Sequence, residues 1–365
     1  VRTMSESIQK LTHVEHILKR PDSYVGPVSR VGEQYWVKEG DGFEKKTVIY
    51  APALLKIFDE ILVNAIDRNS LYPKQVTSIS VKIDREKGEI SIENNGPLGG
   101  IEVKEHEKEK IWNPELTFGH LLTSTNYDDS QQRVVGGRNG YGAKLTNVYS
   151  SKFSIKIKDS ENKTTYTQEW SNNMKTCGKP KMRSYAGATS SVCITFTPDW
   201  SRFGMSAMDD HIFKIFEKRV YDANICTTHG CKIKFQGEAL PKTAFSDYAR
   251  MHTKSDEVCL CMSDRWSVCV VPSEDGFEQV SFVNGICTTN DGSHVDHVAG
   301  ILASNIIDEM AKKIKLKPQQ VKNSFMVFVR ATLVNPTFST QVKSECTLKP
   351  QEIGSKFDTT KKLIT

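Results

Sequence analysis

Apolar residues recur at helical spacing through residues 52–68, PALLKIFDEILVNAIDR, at Leu54, Leu55, Phe58, Ile61, Leu62, Ala65 and Ile66. Pro52 suits a first helical turn, where its missing N–H is no loss, so the stretch is predicted to be a helix. Two alternating segments follow. VTSISVKI (76–83) puts Ile79, Val81 and Ile83 on one face, and EISIE (89–93) does the same with Ile90 and Ile92. The five-residue connector DREKG makes them an antiparallel pair. Further strands are read at 153–158, 164–170 and 191–198, then a helix at 210–224. Helices with an antiparallel sheet predict an α+β chain whose first part is a two-layer α/β sandwich.

After GEALP (237–241) the pattern restarts with strands in VCLCM, WSVCVV and EQVSFVNG, a long helix near 295–315 and a strand at 324–334. This reads as a smaller, self-sufficient α/β unit. A boundary near 240 gives expected domains of 1–240 and 241–365. A chain of 365 residues, 38% hydrophobic and 25% charged, can bury the cores this requires. No window of about 18 uninterrupted apolar residues occurs, and VRTMSESIQK lacks the apolar run of a signal peptide, so membrane insertion and secretion are disfavoured. The first residue is Val1 rather than Met, as expected of a piece of a longer protein.

The net charge of +5 falls short of the basic balance of a dedicated nucleic-acid domain. The densest basic run, Lys312, Lys313, Lys315 and Lys317, reads as a solvated helix end. The nine cysteines sit mostly in apolar, strand-like contexts and read as reduced core thiols. Cys226, His229 and Cys231 lack the fourth ligand and second pair of a closed zinc site.

Three segments carry candidate chemistry. On the first helix, Glu60, Asn64 and Asp67 are spaced four and three apart, which stacks them on one face. Such a stripe is either solvent-exposed or lines a pocket with two carboxylates and an amide. ENNGPLGG (93–100) directly follows a strand; it is an ordinary turn, or a turn that presents an amide to a base edge while its glycines admit a ligand. GGRNGYGAK (136–144) has four glycines in its first seven residues, which frees backbone N–H groups for an anion, and LTNVYS can continue it as a helix. It is no Walker A loop, because Gly142 is followed by Ala143, Lys144 and Leu145. No dinucleotide fingerprint is complete, and no kinase HRD or DFG set occurs. The loop implies phosphate without saying which nucleotide.

These elements, in this order, resemble the nucleotide-binding boxes of the gyrase, heat-shock-chaperone, histidine-kinase and MutL superfamily, whose ATP site is the Bergerat fold. Within it the chain resembles the type IIA DNA topoisomerases, most closely the eukaryotic topoisomerase II enzymes. The resemblance rests on LTHVEHILKRPDSYVG, PALLKIFDEILVNAIDRN, FGHLLTSTNYDD, VVGGRNGYGAK, SFVNGI and NPTFSTQVK. It implies a Bergerat-fold ATPase domain with an N-terminal exchange arm, followed by a transducer domain similar to the second domain of ribosomal protein S5.

It also implies roles. Glu60 would be the general base that orients the attacking water and Asn64 the Mg²⁺ ligand. Asn94 would hydrogen-bond adenine, with Asp67 supporting that side. Ser124, Thr125 and Asn126 would contact ribose and phosphate. Arg138, Asn139, Gly140, Tyr141, Gly142, Ala143 and Lys144 would wrap the triphosphate of ATP, and Gln341 and Lys343 would reach the γ-phosphate from the transducer. The implied partners are double-stranded DNA, a second copy of the chain and the DNA-cleavage region of the same polypeptide; the implied address is nuclear.

Three positions depart from the family pattern. Arg68 follows Asp67 where Asn is more usual, ENNGPLGGIEV carries two extra residues, and Ile8 falls where relatives have a tyrosine that contacts the partner's ATP. Nothing matches the family's metal-binding Toprim domain or its active-site tyrosine, and Glu39-Gly-Asp-Gly reads as a loop. The expected function is therefore the ATP-operated gate alone, without DNA cleavage. A chaperone or mismatch-repair ATPase, or a nucleotide-dependent dimerisation module with little turnover, stands as the alternative.

Overall fold

The computed structural model describes residues 8, 10–123, 134–135, 141–311, 313–355 and 357. The chain opens with α1 (His13–Lys19), started by a capping box in which the Thr12 hydroxyl and the Glu15 carboxylate each satisfy the other residue's backbone N–H. A hairpin of β1 (Val31–Glu39) and β2 (Gly42–Tyr50) follows. It was not read from the sequence, and its tight turn is the Glu39-Gly-Asp-Gly loop, with Gly40 at φ +52°.

The predicted first helix is α2 (Pro52–Leu71), and the alternating pair is β3 (Ser78–Asp84) with β4 (Glu89–Asn95), antiparallel. Then come α3 (Asn113–Gly119), α4 (Gly142–Val148), β5 (Ser150–Asp159), β6 (Thr164–Ser171), β7 (Thr176–Cys177), β8 (Lys181–Ser184), β9 (Ser191–Pro198), α5 (Asp210–Cys226), β10 (Lys232–Phe235) and β11 (Glu238–Ala239). Strands β3 to β11 form one sheet in the order β11-β10-β3-β4-β9-β5-β6-β7, with β8 also on β6. It is antiparallel except where β10 joins β3. Helices cover its inner face. Ile79, Val81, Ile92, Ile155, Ile194 and Phe196 point inward and are buried with Leu54, Ile57, Phe58 and Ile61 of α2 and Ile215 and Phe216 of α5. The rings of Phe58 and Phe216 stack at 4.2 Å, worth roughly 0.5–1.5 kcal/mol beyond their burial. This is the two-layer sandwich.

The rest of the chain comprises α6 (Phe245–Arg250), β12 (Cys259–Met262), β13 (Trp266–Pro272), β14 (Glu278–Val283), β15 (Ile286–Cys287), α7 (Ser293–Met310), α8 (Pro318–Lys322) and β16 (Phe325–Ala331). Its five strands run β12-β13-β16-β14-β15, with β14 and β16 parallel. One face packs on α7 through Val295, Val298 and Leu302. The other packs on Phe245 and Tyr248 of α6, Phe43 of the hairpin and Ile225 of α5, so the first sheet's own accessories seal the second sheet.

The helix expected to reach 315 ends at Met310. Leu316 leaves it to pack on the second core, and Pro318 holds Lys317 extended at φ −92°, ψ 145°. Lys313, Lys315 and Lys317 therefore lie beyond the helix rather than at its end, and Lys312 lies outside the described residues. Among the cysteines, Cys231, Cys261, Cys269 and Cys346 are buried, whereas Cys177 and Cys259 are exposed, and all nine are free.

A chain of buried charge crosses the junction between the two sheets. Arg219 Nε donates to Asp59 at 2.8 Å and its Nη1 to Asp222 at 2.9 Å. Asp222 also accepts from Lys218 at 2.7 Å and from the Tyr248 hydroxyl at 2.5 Å. Such a network persists because each buried charge has partners.

Candidate nucleotide site

The polar stripe on α2 is not a solvent face. Glu60 and Asp67 are 5% and 8% exposed and Asn64 is half-buried, so the stripe lines the interior. Burial alone drives the Glu60 carboxyl upward, but the ammoniums of Lys343 and Lys56 outweigh it and hold the group at about 2. Lys343 Nζ stands 3.7 Å from Glu60 Oε1, and Lys56, one helical turn before Glu60, forms an ion pair with the same oxygen. Both ammoniums thus converge on one buried carboxylate oxygen.

The glycine segment reaches the same carboxylate. A Cβ on Gly142 would collide with Glu60 Oε2 and lie 3.8 Å from Asn64 Nδ2, so the glycine leaves the Glu60 carboxylate its place beside α4. Tyr141 packs edge-on against Tyr24 at 5.9 Å. Ala143 is buried, and Lys144 is buried with its Nζ donating to the Thr123 carbonyl at 2.5 Å. Burial lowers the Lys144 pKa to about 8. Ser124, Thr125, Asn126, Arg138, Asn139 and Gly140 lie outside the described residues.

The two asparagines of the turn divide their work by strand alternation. Asn94 faces inward beneath α2, is 8% exposed, and donates to the Asn95 carbonyl at 3.2 Å. Asn95 faces outward, where its Oδ1 accepts from the N–H groups of Thr77 and Ser78, both at 2.9 Å. Gly96, Gly99 and Gly100 then take φ of +105°, +53° and +97°, which explains the glycines of the turn.

Gln341 and Lys343 arrive on the loop after β16. Lys343 sits at φ +65° and is buried. Its neighbours are pinned: Asn290 N donates to Ser344 O and Ser293 N to Cys346 O, both at 2.9 Å. On the other side, a Cβ on Gly26 would lie 3.0 Å from Val342 Cγ2, so Val342 seats against the segment that follows α1. Lys56, Tyr24, Gly26 and Val342 thus belong to the site's construction, and sequence reasoning did not single them out. Lys56 carried one usable signal: a lysine four residues before a carboxylate on the same helix.

The sequence and fold of this chain have close counterparts. It is 38% identical to the ATPase region of Saccharomyces cerevisiae topoisomerase II over 98% of this chain and 94% of that one, with a TM-score of 0.92. The chain belongs to the topoisomerase II family. A second solved structure, the ATPase and transducer domains of DNA topoisomerase II from Balamuthia mandrillaris, matches at TM-score 0.93 and 37% identity over all of this chain and 94% of that one. DNA topoisomerase 2 of Penicillium chrysogenum is 44% identical over 97% of this chain and 23% of its own length. The figures for DNA topoisomerase 2-beta of Mus musculus are 44%, 98% and 23%. The family profile described as DNA gyrase B matches residues 233–358. The chain therefore spans about a quarter of the length of these curated topoisomerase II relatives and corresponds to their ATPase and transducer portion.

Proposed function

We propose that this chain is the ATP-binding and ATP-hydrolysing gate of a topoisomerase II, divided into an ATPase domain at 1–240 and a transducer domain at 241–365. The observation that carries the reading is the ion pair of Lys343 with Glu60, since it joins a loop of the second sheet to the buried carboxylate of the first. Glu60 is the base: its carboxylate orients a water and takes its proton as the water oxygen bonds to the γ-phosphorus and the bridging P–O bond to ADP breaks.

Asn94 and Asp67 take the adenine side. Ser124, Thr125 and Asn126 take ribose and phosphate, and residues 138–144, with Lys144, the triphosphate. Gln341 and Lys343 take the γ-phosphate. The donor set suits a Mg²⁺ that arrives with its nucleotide: no cluster of three or more His, Cys, Asp or Glu exists among the described residues, so Asn64 and phosphate oxygens would hold the ion, which would neutralise charge there. In the full protein, ATP binding would pair two copies around a DNA duplex and hydrolysis would reset them, in the nucleus, with cleavage left to another region.

Positioning and charge stabilisation dominate such chemistry, so Glu60→Gln should lower ATP turnover at least about 100-fold while leaving binding of a non-hydrolysable analogue within about threefold. Near-parental turnover would reject the base assignment.

A further inference from the structure

Two cations meet one oxygen of Glu60, and they are attached to the protein in different ways. Lys56 is on α2 itself, four residues before Glu60, and both side chains are 6% exposed. Its separation from the carboxylate is set by the helix and changes only if the helix does. Lys343 is on a loop of the second sheet and stands farther off, at 3.7 Å. Lysine is almost never buried without a partner, and Glu60 is the carboxylate that Lys56 pairs with. One ammonium already neutralises the carboxylate, so the second needs a reason.

We propose that Lys56 is a positioning residue for ATP hydrolysis: it holds the Glu60 carboxylate in its buried orientation while Lys343 passes between that carboxylate and the terminal phosphate. The inference rests on the reading of Glu60 as the base. When Lys343 turns to a phosphate, an unpaired carboxylate would rotate toward another donor or take up a proton, and either would remove the base. Lys56 prevents both, because it cannot follow the nucleotide. It pairs with Oε1 alone, so it supplies its charge on one side of the carboxylate. The helix thus carries both the base and its permanent counter-charge, and the loop carries the exchangeable one.

The test uses the whole chain with ATP and Mg²⁺, comparing Lys56→Gln, Lys56→Arg and Glu60→Gln in steady-state turnover, analogue binding and thermal melting. Lys56→Gln should lower kcat by about 10- to 100-fold, the range of a misdirected catalytic group, with KM and analogue affinity within about threefold. Lys56→Arg, which keeps the charge, should recover most of the loss. In the Glu60→Gln background, Lys56→Gln should cause no further loss, because residues acting as one unit are not additive. A kcat within about twofold of the parent in Lys56→Gln would overturn the proposal. So would a proportional loss of analogue affinity, or failure of both Lys56 variants to fold, since either assigns Lys56 to structure. Retained turnover in Glu60→Gln alone would instead remove the base reading, which is a separate outcome.

Discussion

Arg68 Nη2 donates to the carbonyl of Gly99 at 2.9 Å, so the helix that carries Glu60 and Asn64 also holds the glycine turn after Asn94. The two departures from the family pattern, the arginine and the lengthened turn, therefore meet in one hydrogen bond. A Cβ on Gly99 would collide with the guanidinium, and its φ of +53° suits glycine. Arg68→Ala should free the turn at a cost of about 1.5–3 kcal/mol, the usual worth of a hydrogen bond to a charged donor. Denaturant unfolding measures that loss, and nucleotide affinity should fall with it. An unchanged midpoint and affinity would mean that the turn holds itself.

Gly142→Ala places a methyl where Glu60 Oε2 lies. The substitution favours helix over glycine at an α4 position, so the fold should survive. Turnover should drop at least about tenfold as the carboxylate is displaced, with an ordinary melting temperature. Parental turnover would show that the carboxylate has room to move.

Lys144 titrates near pH 8 because burial disfavours its ammonium. Below that pH it is a cation facing the proposed triphosphate, and above it the charge is lost. Analogue affinity should therefore weaken as pH rises from 7 to 9, and Lys144→Met should flatten the dependence. Isothermal titration across that range checks it; an equal slope in the variant would assign the effect elsewhere.

His252 and His294 are buried, and burial pushes each pKa down to about 3. Their folded forms stay neutral while the unfolded chain binds protons below about 6.5. Stability is therefore fully present above pH 6.5 and is lost as pH falls toward 3, by about 1.4 kcal/mol per histidine at pH 5.5. Urea unfolding at pH 7.5 and 5.5 should show it, and His294→Gln should remove part of the difference.

Much of the fold was legible because its signals are local. The alternation of Ile79, Val81 and Ile83 and the helical spacing of α2 specify strand and helix without long-range information. The β1–β2 hairpin was missed although Tyr35, Val37, Val48 and Tyr50 alternate, because its inward face is defined only once α5 lies across it. The Glu60, Asn64 and Asp67 face followed from spacing, but not its burial, which depends on α4 and the loop after β16. The spacing of Lys56 before Glu60 was legible, but a helix lysine reads as solvated until its burial is seen. Lys343 has no periodic signal at all. It sits in an irregular loop at positive φ, and only the likeness of NPTFSTQVK pointed to it.

Val342 and Lys343 are adjacent, and Val342 is seated on Gly26. Any movement of this loop away from the first sheet must lift a methyl group off a backbone. That departure is resisted by carbon against carbon, which dissolved ions do not screen, and the charge pair it breaks is buried, where salt reaches it only weakly. Release of this loop should therefore depend little on ionic strength.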